Sequence, residues 1–253
     1  MPDFMYPLLS ALIAFGAWKM GSLTLGGAVA AFAAAAVMGL ASPQAFLLLM
    51  FFFFTSVPLS RFRRSRKAQA ESLHKKHGPR DLAQVLANSL AALVMLLIAG
   101  ITSDPSWELA SLVAIGACTA DTWASELGQL SHETPRNILT FKPMAAGLSG
   151  GVSIAGTAAS LAASAIILLP VYLSTPSLPW HALFLIACFS FSGSILDSVL
   201  GSLLQGKYLA PEGHLTEVSG TGFPLVRGFA FIDNDVVNFL ASLLAASASG
   251  IFL

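Results

Sequence analysis

Charge is what this chain has least of. Asp, Glu, Lys and Arg make up 10% of its 253 residues, against about 25% in soluble domains. It also holds only two Cys and five His. No Cys or His spacing resembles a zinc site or a disulfide framework. Cys118 and Cys188 both fall in apolar stretches, where buried, purely structural thiols are expected. His74 and His77 lie in a basic loop, where a surface role is expected. No nucleophile elbow and no Ser–His–Asp set stands out. Gly201 to Lys207 matches GxxxxGK but continues with Tyr208 and follows an apolar helix, so a P-loop is excluded. No nucleic-acid partner is expected. The start has Asp3 instead of a basic n-region, so the first apolar stretch is expected to be a retained helix, not a signal peptide.

Apolar residues are what the chain has in abundance. They make up 55% of it, with 18 Phe and a mean hydropathy of +0.75. Runs near the ~20 residues needed to cross a bilayer recur along its length. The fold class is therefore all-α, a polytopic helical membrane protein forming one integral domain over 1–253. About eight transmembrane helices are expected at 5–18, 24–41, 44–59, 82–101, 107–128, 150–173, 179–204 and 232–253, with the first short enough to be re-entrant. A weak parallel duplication of 107–173 and 179–253 is suggested by Asp-Thr at 121–122 and Asp-Ser at 197–198. Gly and Ala from Gly26 to Ala36 suit close helix packing. Phe51 to Phe54 suit contact with lipid or a lipid tail.

The net charge of zero hides a strong segregation. Residues 61–81 carry eight of the thirteen Lys and Arg but only two acids. If the helices alternate in direction, Lys19, the 61–81 loop, Arg136, Lys142, Lys207 and Arg227 share one side. That side is then cytoplasmic, with both termini outside. The expected setting is a bacterial inner membrane, with three polar cytoplasmic loops at 61–81, 129–149 and 205–231. Arg61, Arg63, Arg64, Arg66 and Lys67 are expected to contact the anionic leaflet.

The acids are harder to explain as packing. A carboxylate at the bilayer centre costs roughly 2.5–3.5 kcal/mol on insertion scales. Yet Asp121-Thr122-Trp123-Ala124-Ser125-Glu126-Leu127-Gly128, Asp197-Ser198 and Asp233-Asn234-Asp235-Val236-Val237-Asn238 all sit at the ends of apolar stretches, and Arg80-Asp81 opens another. Asp121, Ser125 and Gly128 share a helical face; Trp123 points elsewhere, and Glu126 lies about 140° from Asp121 on the helical wheel at ~3.6 residues per turn. Gly193 and Gly201 flank Asp197 at i−4 and i+4, leaving room for a ligand or a close helix. Asn234 and Asn238 share another face. Oxygen-only ligands of this kind suit Mg²⁺, with Asp121, Asp197 and Asp235 as metal ligands and Asp121, Glu126 and Asp197 as catalytic acids.

Polar groups around these acids point to a phosphate ligand. Arg80, Gln84 and Asn88 fall at i, i+4 and i+8, one face entering the membrane. Gly150, Gly151 and Ser153 belong to a Gly-rich stretch that runs into a helix start, where backbone N–H groups and the helix dipole favour an anion. Ser125, Ser198, Asn234, Asn238, Lys142 and Arg227 are expected as further substrate or nucleotide contacts. Carboxylates with Mg²⁺, bases and Gly-rich loops at a membrane face suit phosphoryl or nucleotidyl transfer onto a lipid.

The motifs also carry a resemblance. Gln84-Val85-Leu86-Ala87-Asn88, the Asp121 motif, Ser149-Gly150-Gly151-Val152-Ser153, Gly193-Ser194-x-x-Asp197-Ser198-x-x-Gly201 and Asn234-Asp235-x-Val237-Asn238 resemble, in order, the motifs of the membrane family containing plant phytyl-phosphate kinase. The resemblance spans about residues 19 to 245. It implies conversion of an isoprenyl monophosphate, phytyl- or geranylgeranyl-phosphate-like, to the diphosphate, with a nucleoside triphosphate such as CTP as donor and Mg²⁺ as cofactor. The Asp121 motif is distantly similar to one in dolichol kinases and CDP-diacylglycerol synthases. One departure is local: the family's loop reads closer to Gly-Thr-Asn-Gly-Gly-Val-Ser, where this chain has Ala146-Gly147-Leu148-Ser149-Gly150-Gly151-Val152-Ser153. The rival classes are a CDP-lipid synthase-like nucleotidyltransferase and an ion-coupled transporter.

Overall fold

A computed structural model of the chain describes residues 2–62 and 78–253. The expectations for Arg63, Arg64, Arg66, Lys67, His74 and His77 lie outside the described residues. Every expected apolar segment is helical. The helices are α1 (Met5–Lys19), α2 (Leu25–Ala41), α3 (Pro43–Arg61), α4 (Leu82–Thr102), α5 (Pro105–Gly128), α6 (Ile154–Ile166), α7 (Leu168–Ser174), α8 (Trp180–Leu203) and α9 (Asn234–Phe252). The sixth expected segment is thus divided in two. Pro170 has no N–H to continue the ladder, and the regular α-helix is interrupted at Ile167.

The helix boundaries follow from capping. Ser42 is at once the C-cap of α2 and the N-cap of α3, its Oγ accepting from Ala45 N at 3.2 Å. Asp81 caps α4 in a reciprocal box with Gln84. Asp104 caps α5, with Pro105 at the first helical position. Asp81 is therefore a cap and not a buried site acid, which explains one of the carboxylates the sequence left open.

α3, α4, the α6–α7 stretch, α8 and α9 are each long and apolar enough to cross a membrane. At 15 and 17 residues, α1 and α2 reach only about 22–26 Å, short of a ~30 Å hydrocarbon core. α5 is long but carries Glu108, Asp121 and Glu126. It can carry them because it is the hub: it packs against α3, α4, α6, α8 and α9. Its residues from Ala110 to Ala120 are all buried. Small side chains permit this. A Cβ on Gly193 of α8 would lie 2.4 Å from Ala117 Cβ of α5. Gly193 thus serves a close helix crossing, not ligand space. Gly193→Ala is expected to destabilise the bundle by about 1–3 kcal/mol through overpacking, read as a lower Tm in detergent; an unchanged Tm would mean the crossing is loose.

Cys118 is buried in this hub, as expected, but Cys188 is exposed. α8 buries one stripe through Ala182, Leu183, Ile186, Ser190 and Gly193, and Cys188 falls off it. Buried hydroxyls such as Ser10, Thr119 and Ser164 bond to the carbonyl one turn back. Large exposed apolar side chains, including Leu97, Phe184 and Ile251, form the surface for lipid.

The polar loops at one end of the bundle are folded. β1 (Arg136–Asn137) pairs antiparallel with β2 (Gly151–Val152), and β3 (Lys207–Leu209) lies between β4 (Leu215–Thr216) and β5 (Leu225–Arg227). These strands are the main departure from the all-α expectation. Arg61 also departs from its expected leaflet role. Its Nη2 donates to Met20 O at 2.7 Å and Ser22 Oγ at 2.8 Å, pinning α3 to the α1–α2 turn.

Candidate active site

The four acid-bearing segments and the three described loop ends meet at one end of the bundle, around a cavity of about 470 Å³. Asp121 and Asp197 lie roughly 10 Å and 9 Å inside their helix ends, and Asn88 and Asn238 roughly 9 Å and 6 Å, counting 1.5 Å per residue. Four helices therefore present polar side chains at a similar depth. Asp121 and Asp197 are within electrostatic reach of each other, and Glu217 acts on Asp197 as well.

Two atoms point to a ligand. Asp197 Oδ2 and Asn238 Oδ1 are buried with no hydrogen-bond partner. Both residues line the cavity. Buried polar atoms are nearly always satisfied, so such oxygens, beside a second carboxylate, fit a hard cation. Asp235 is buried and lines the same cavity. Among the described residues, however, no three Asp, Glu, His or Cys side chains close into a metal-holding group. The expected three-carboxylate set of Asp121, Asp197 and Asp235 is therefore not formed by the protein alone. Mg²⁺ suits such a site, because it commonly takes one or two carboxylates and completes its shell with phosphate oxygens and water.

Arg80 forms part of another wall. Its backbone is clamped to the α1–α2 turn, with N donating to Ser22 O and O accepting from Thr24 N, both at 3.0 Å. Its guanidinium lies over the Phe52 ring at 5.4 Å. Burial lowers its pKa, and the Glu126 charge opposes that drop. Glu126 in turn accepts from Ser60 Oγ at 2.5 Å. Glu126, expected as a catalytic acid, thus acts on Arg80 through its charge. Gln84 and Asn88 line the cavity beside Arg80 as the i, i+4, i+8 stripe requires. Asn88 Nδ2 donates to Gln84 O at 2.7 Å. Ser125, Ser198 and Asn234 also face the cavity.

The Gly-rich stretch behaves differently from expectation. Gly150, Gly151 and Ser153 do line the cavity. But Gly150 has φ +87°, and a Cβ there would stand 2.5 Å from Ser202 Cβ, so this glycine is required for packing against α8. The start of α6 is already occupied: Ile154 N donates to Glu133 Oε2 at 2.8 Å and Gly156 N to Ser153 Oγ at 3.0 Å. The anion at that helix end is Glu133 itself. Lys142 and Arg227 are exposed and do not line the cavity. Arg227 is carried outward on β5, and Lys142 sits where its carbonyl accepts from Asn137 N in the β1 turn.

Several polar residues that hold the site were not singled out by sequence. Glu217 Oε1 accepts from Ser149 N at 2.6 Å, and its Oε2 accepts from Gln205 Nε2 at 2.8 Å. Lys207 Nζ donates to Ser149 O at 2.7 Å. Asn137 Nδ2 donates to Ser202 Oγ at 2.7 Å. Together they tie the Gly-rich stretch to α8, to β3 and to the β4–β5 connection. Lys207, the lysine of the GxxxxGK match, is spent on a backbone carbonyl. Glu217 had no signal, since it stands in a loop without periodicity.

A family model for integral membrane protein DUF92 matches residues 8–246. Protein PGR of Arabidopsis thaliana is 32% identical, over 96% of this chain and 93% of its own length. An uncharacterized membrane protein of Methanocaldococcus jannaschii is 30% identical, over 68% of this chain and 70% of its own. Protein VTE6, chloroplastic, of Arabidopsis thaliana is 24% identical over 76% of this chain and 54% of its own. No solved structure matches. The match runs nearly end to end and takes in every acid-bearing motif, so the chain belongs to the DUF92 family of integral membrane proteins.

Proposed function

We propose that this protein is a membrane-embedded phosphotransferase that converts an isoprenyl monophosphate to the diphosphate with a nucleoside triphosphate, CTP being one candidate. The observation that carries the reading is one cavity with carboxylates on α5 and α8, unpartnered buried oxygens on Asp197 and Asn238, and Arg80 on another wall. The motif resemblance to the family containing plant phytyl-phosphate kinase supports the same chemistry. The positive-inside rule makes the cavity face cytoplasmic, where nucleotides are available, in a bacterial inner membrane with both termini outside.

Asp121 and Asp197 would hold a Mg²⁺–triphosphate, with Asp235 and Asn238 completing the polar wall. When bound, Mg²⁺ supplies charge neutralisation at the triphosphate oxygens. Arg80 grips the acceptor monophosphate through its planar fork. Glu126 and Ser60 position Arg80. An oxygen of the acceptor phosphate forms a new bond to the γ-phosphorus while the β–γ bridging bond breaks, and the nucleoside diphosphate leaves with the electron pair. The acceptor oxygen is already anionic, so no general base is needed. Catalysis is then positioning and electrostatics.

Reconstituted protein should convert geranylgeranyl monophosphate to the diphosphate only with a nucleoside triphosphate and Mg²⁺; product formed in excess EDTA would contradict the metal roles. Arg80→Lys should raise the KM for the lipid phosphate about tenfold or more, since a point charge replaces a bidentate fork, and leave the nucleotide KM nearly unchanged. A rise in the nucleotide KM alone would move Arg80 to the donor.

A further inference from the structure

A second, apolar crevice opens from the same wall. It lies among α1, α2, α3 and α4, and shares Arg80, Gln84 and Asn88 with the large cavity. Apart from those three and the hydroxyls of Ser10 and Ser89, which donate to carbonyls of their own helices, it is lined by apolar side chains such as Ala14, Ala31, Ala35, Met50, Phe52 and Phe53. Small residues on α1 and α2 face aromatic ones on α3. Along α1 the lining runs from Ala17 to Ser10, about 10 Å at 1.5 Å per residue. The crevice therefore starts at the Arg80 level and descends into the bundle.

Resting on the phosphotransferase reading above, we propose that this crevice binds the isoprene unit next to the phosphate of the acceptor lipid. Its volume is about 60 Å³. One water-sized centre needs ~10–15 Å³ of such volume, so the crevice takes a short apolar segment next to the phosphate and not a whole prenyl chain. The rest of the chain leaves between the helices into lipid. Three features select this occupant over a loose lipid tail. The polar mouth is the Arg80 phosphate grip, so headgroup and first carbons are placed in one step. The small Ala side chains of α1 and α2 leave room for a methyl branch beside Phe52 and Phe53. Phe52 also carries the Arg80 guanidinium on its ring, so filling the slot and holding the phosphate are coupled. Acceptor choice is thereby set at α1–α4, away from the metal-binding carboxylates.

The test is photolabelling in phosphatidylcholine proteoliposomes. The probe is geranylgeranyl monophosphate with a diazirine on its phosphate-proximal isoprene unit. Labelled peptides are expected from residues 31–35 of α2 and 52–53 of α3, and unlabelled geranylgeranyl monophosphate should compete them away. Ala31→Leu, from a partly buried position, should cut the competed label about tenfold or more, the scale at which a hydrophobic pocket rejects extra bulk. Its nucleotide KM should not change. Val85→Phe fills the slot from α4 and should act alike; if neither variant folds, labelling of the unmodified protein decides. Label on α8 or α9, or label that is not competed, overturns the proposal. Turnover without crevice label would leave the phosphotransferase reading standing and remove the crevice from it. Competed crevice label without turnover would do the reverse, sustaining lipid-phosphate binding and overturning the reaction.

Discussion

Asp197→Asn is expected to lower kcat at least 10²–10³-fold, the loss typical of removing one preorganised charged or polar group from a reacting site, while the fold survives. The substitution is nearly isosteric, so the packing of α8 against α5 is kept. What changes is charge. Asp197 Oδ2 has no hydrogen-bond partner, and Asp197 and Asp121 repel each other across the cavity. Removing one of two facing carboxylates relieves that repulsion, so the variant should melt at the same temperature as the parent or higher in the absence of Mg²⁺. The parent should gain stability on adding Mg²⁺ with nucleotide by ligand linkage, and the variant should lose most of that gain. Asp121→Asn should behave alike. Full turnover by either variant would take that residue out of the site; a lower Tm without ligand would mean the carboxylate holds the fold instead.

The second large effect concerns stability. Glu217→Ala should destabilise the protein by about 3–5 kcal/mol, the range for breaking a buried charged pair. It removes the acceptor for Ser149 N and for Gln205 Nε2 and the negative charge facing buried Lys207. Its pH dependence is distinctive. Burial lowers the Lys207 pKa below its ordinary 10.5, and the Glu217 charge opposes that drop. A lysine whose folded pKa is lowered binds fewer protons folded than unfolded, so stability rises with pH up to its unfolded value. Without Glu217 the folded pKa falls further and the rise becomes steeper. Thermal unfolding of parent and variant from neutral to alkaline pH should therefore show the gap between them narrowing as pH increases. A constant gap would mean that the lost hydrogen bonds, not the charge, dominate.

Helix placement follows the apolar runs, and five of them begin at a strong local signal: Ser42, Asp81, Asp104, Ser153 and Asp233 are N-caps. The convergence of Asp121, Asp197 and Asn238 was readable for a related reason. Amides and carboxylates at the same depth in apolar helices need each other or a ligand. Arg80, Gln84 and Asn88 followed from helical spacing. The loops were not readable, because their contacts are non-local. Lys142 and Arg227 look like phosphate ligands by type, yet two short sheets turn them outward. Glu217 and Lys207 look like solvated loop charges, yet they are buried in the contact between loops. Cys188 was misjudged because apolarity in a membrane chain marks lipid-facing and bundle-facing sides alike. The same effect hid the hub role of α5, whose acids make it the least apolar long helix and whose small residues make it the most enclosed.

Under the proposed function, the cavity joins a nucleotide's terminal phosphate to a prenyl monophosphate. The most direct test uses purified protein in proteoliposomes, geranylgeranyl monophosphate, and a nucleoside triphosphate labelled either at the γ- or at the α-phosphate. Label is expected in a prenyl diphosphate from the γ-labelled donor and none from the α-labelled donor. Label from the α position, released with pyrophosphate, would make the protein a nucleotidyltransferase, and no label from either donor would contradict group transfer at this site.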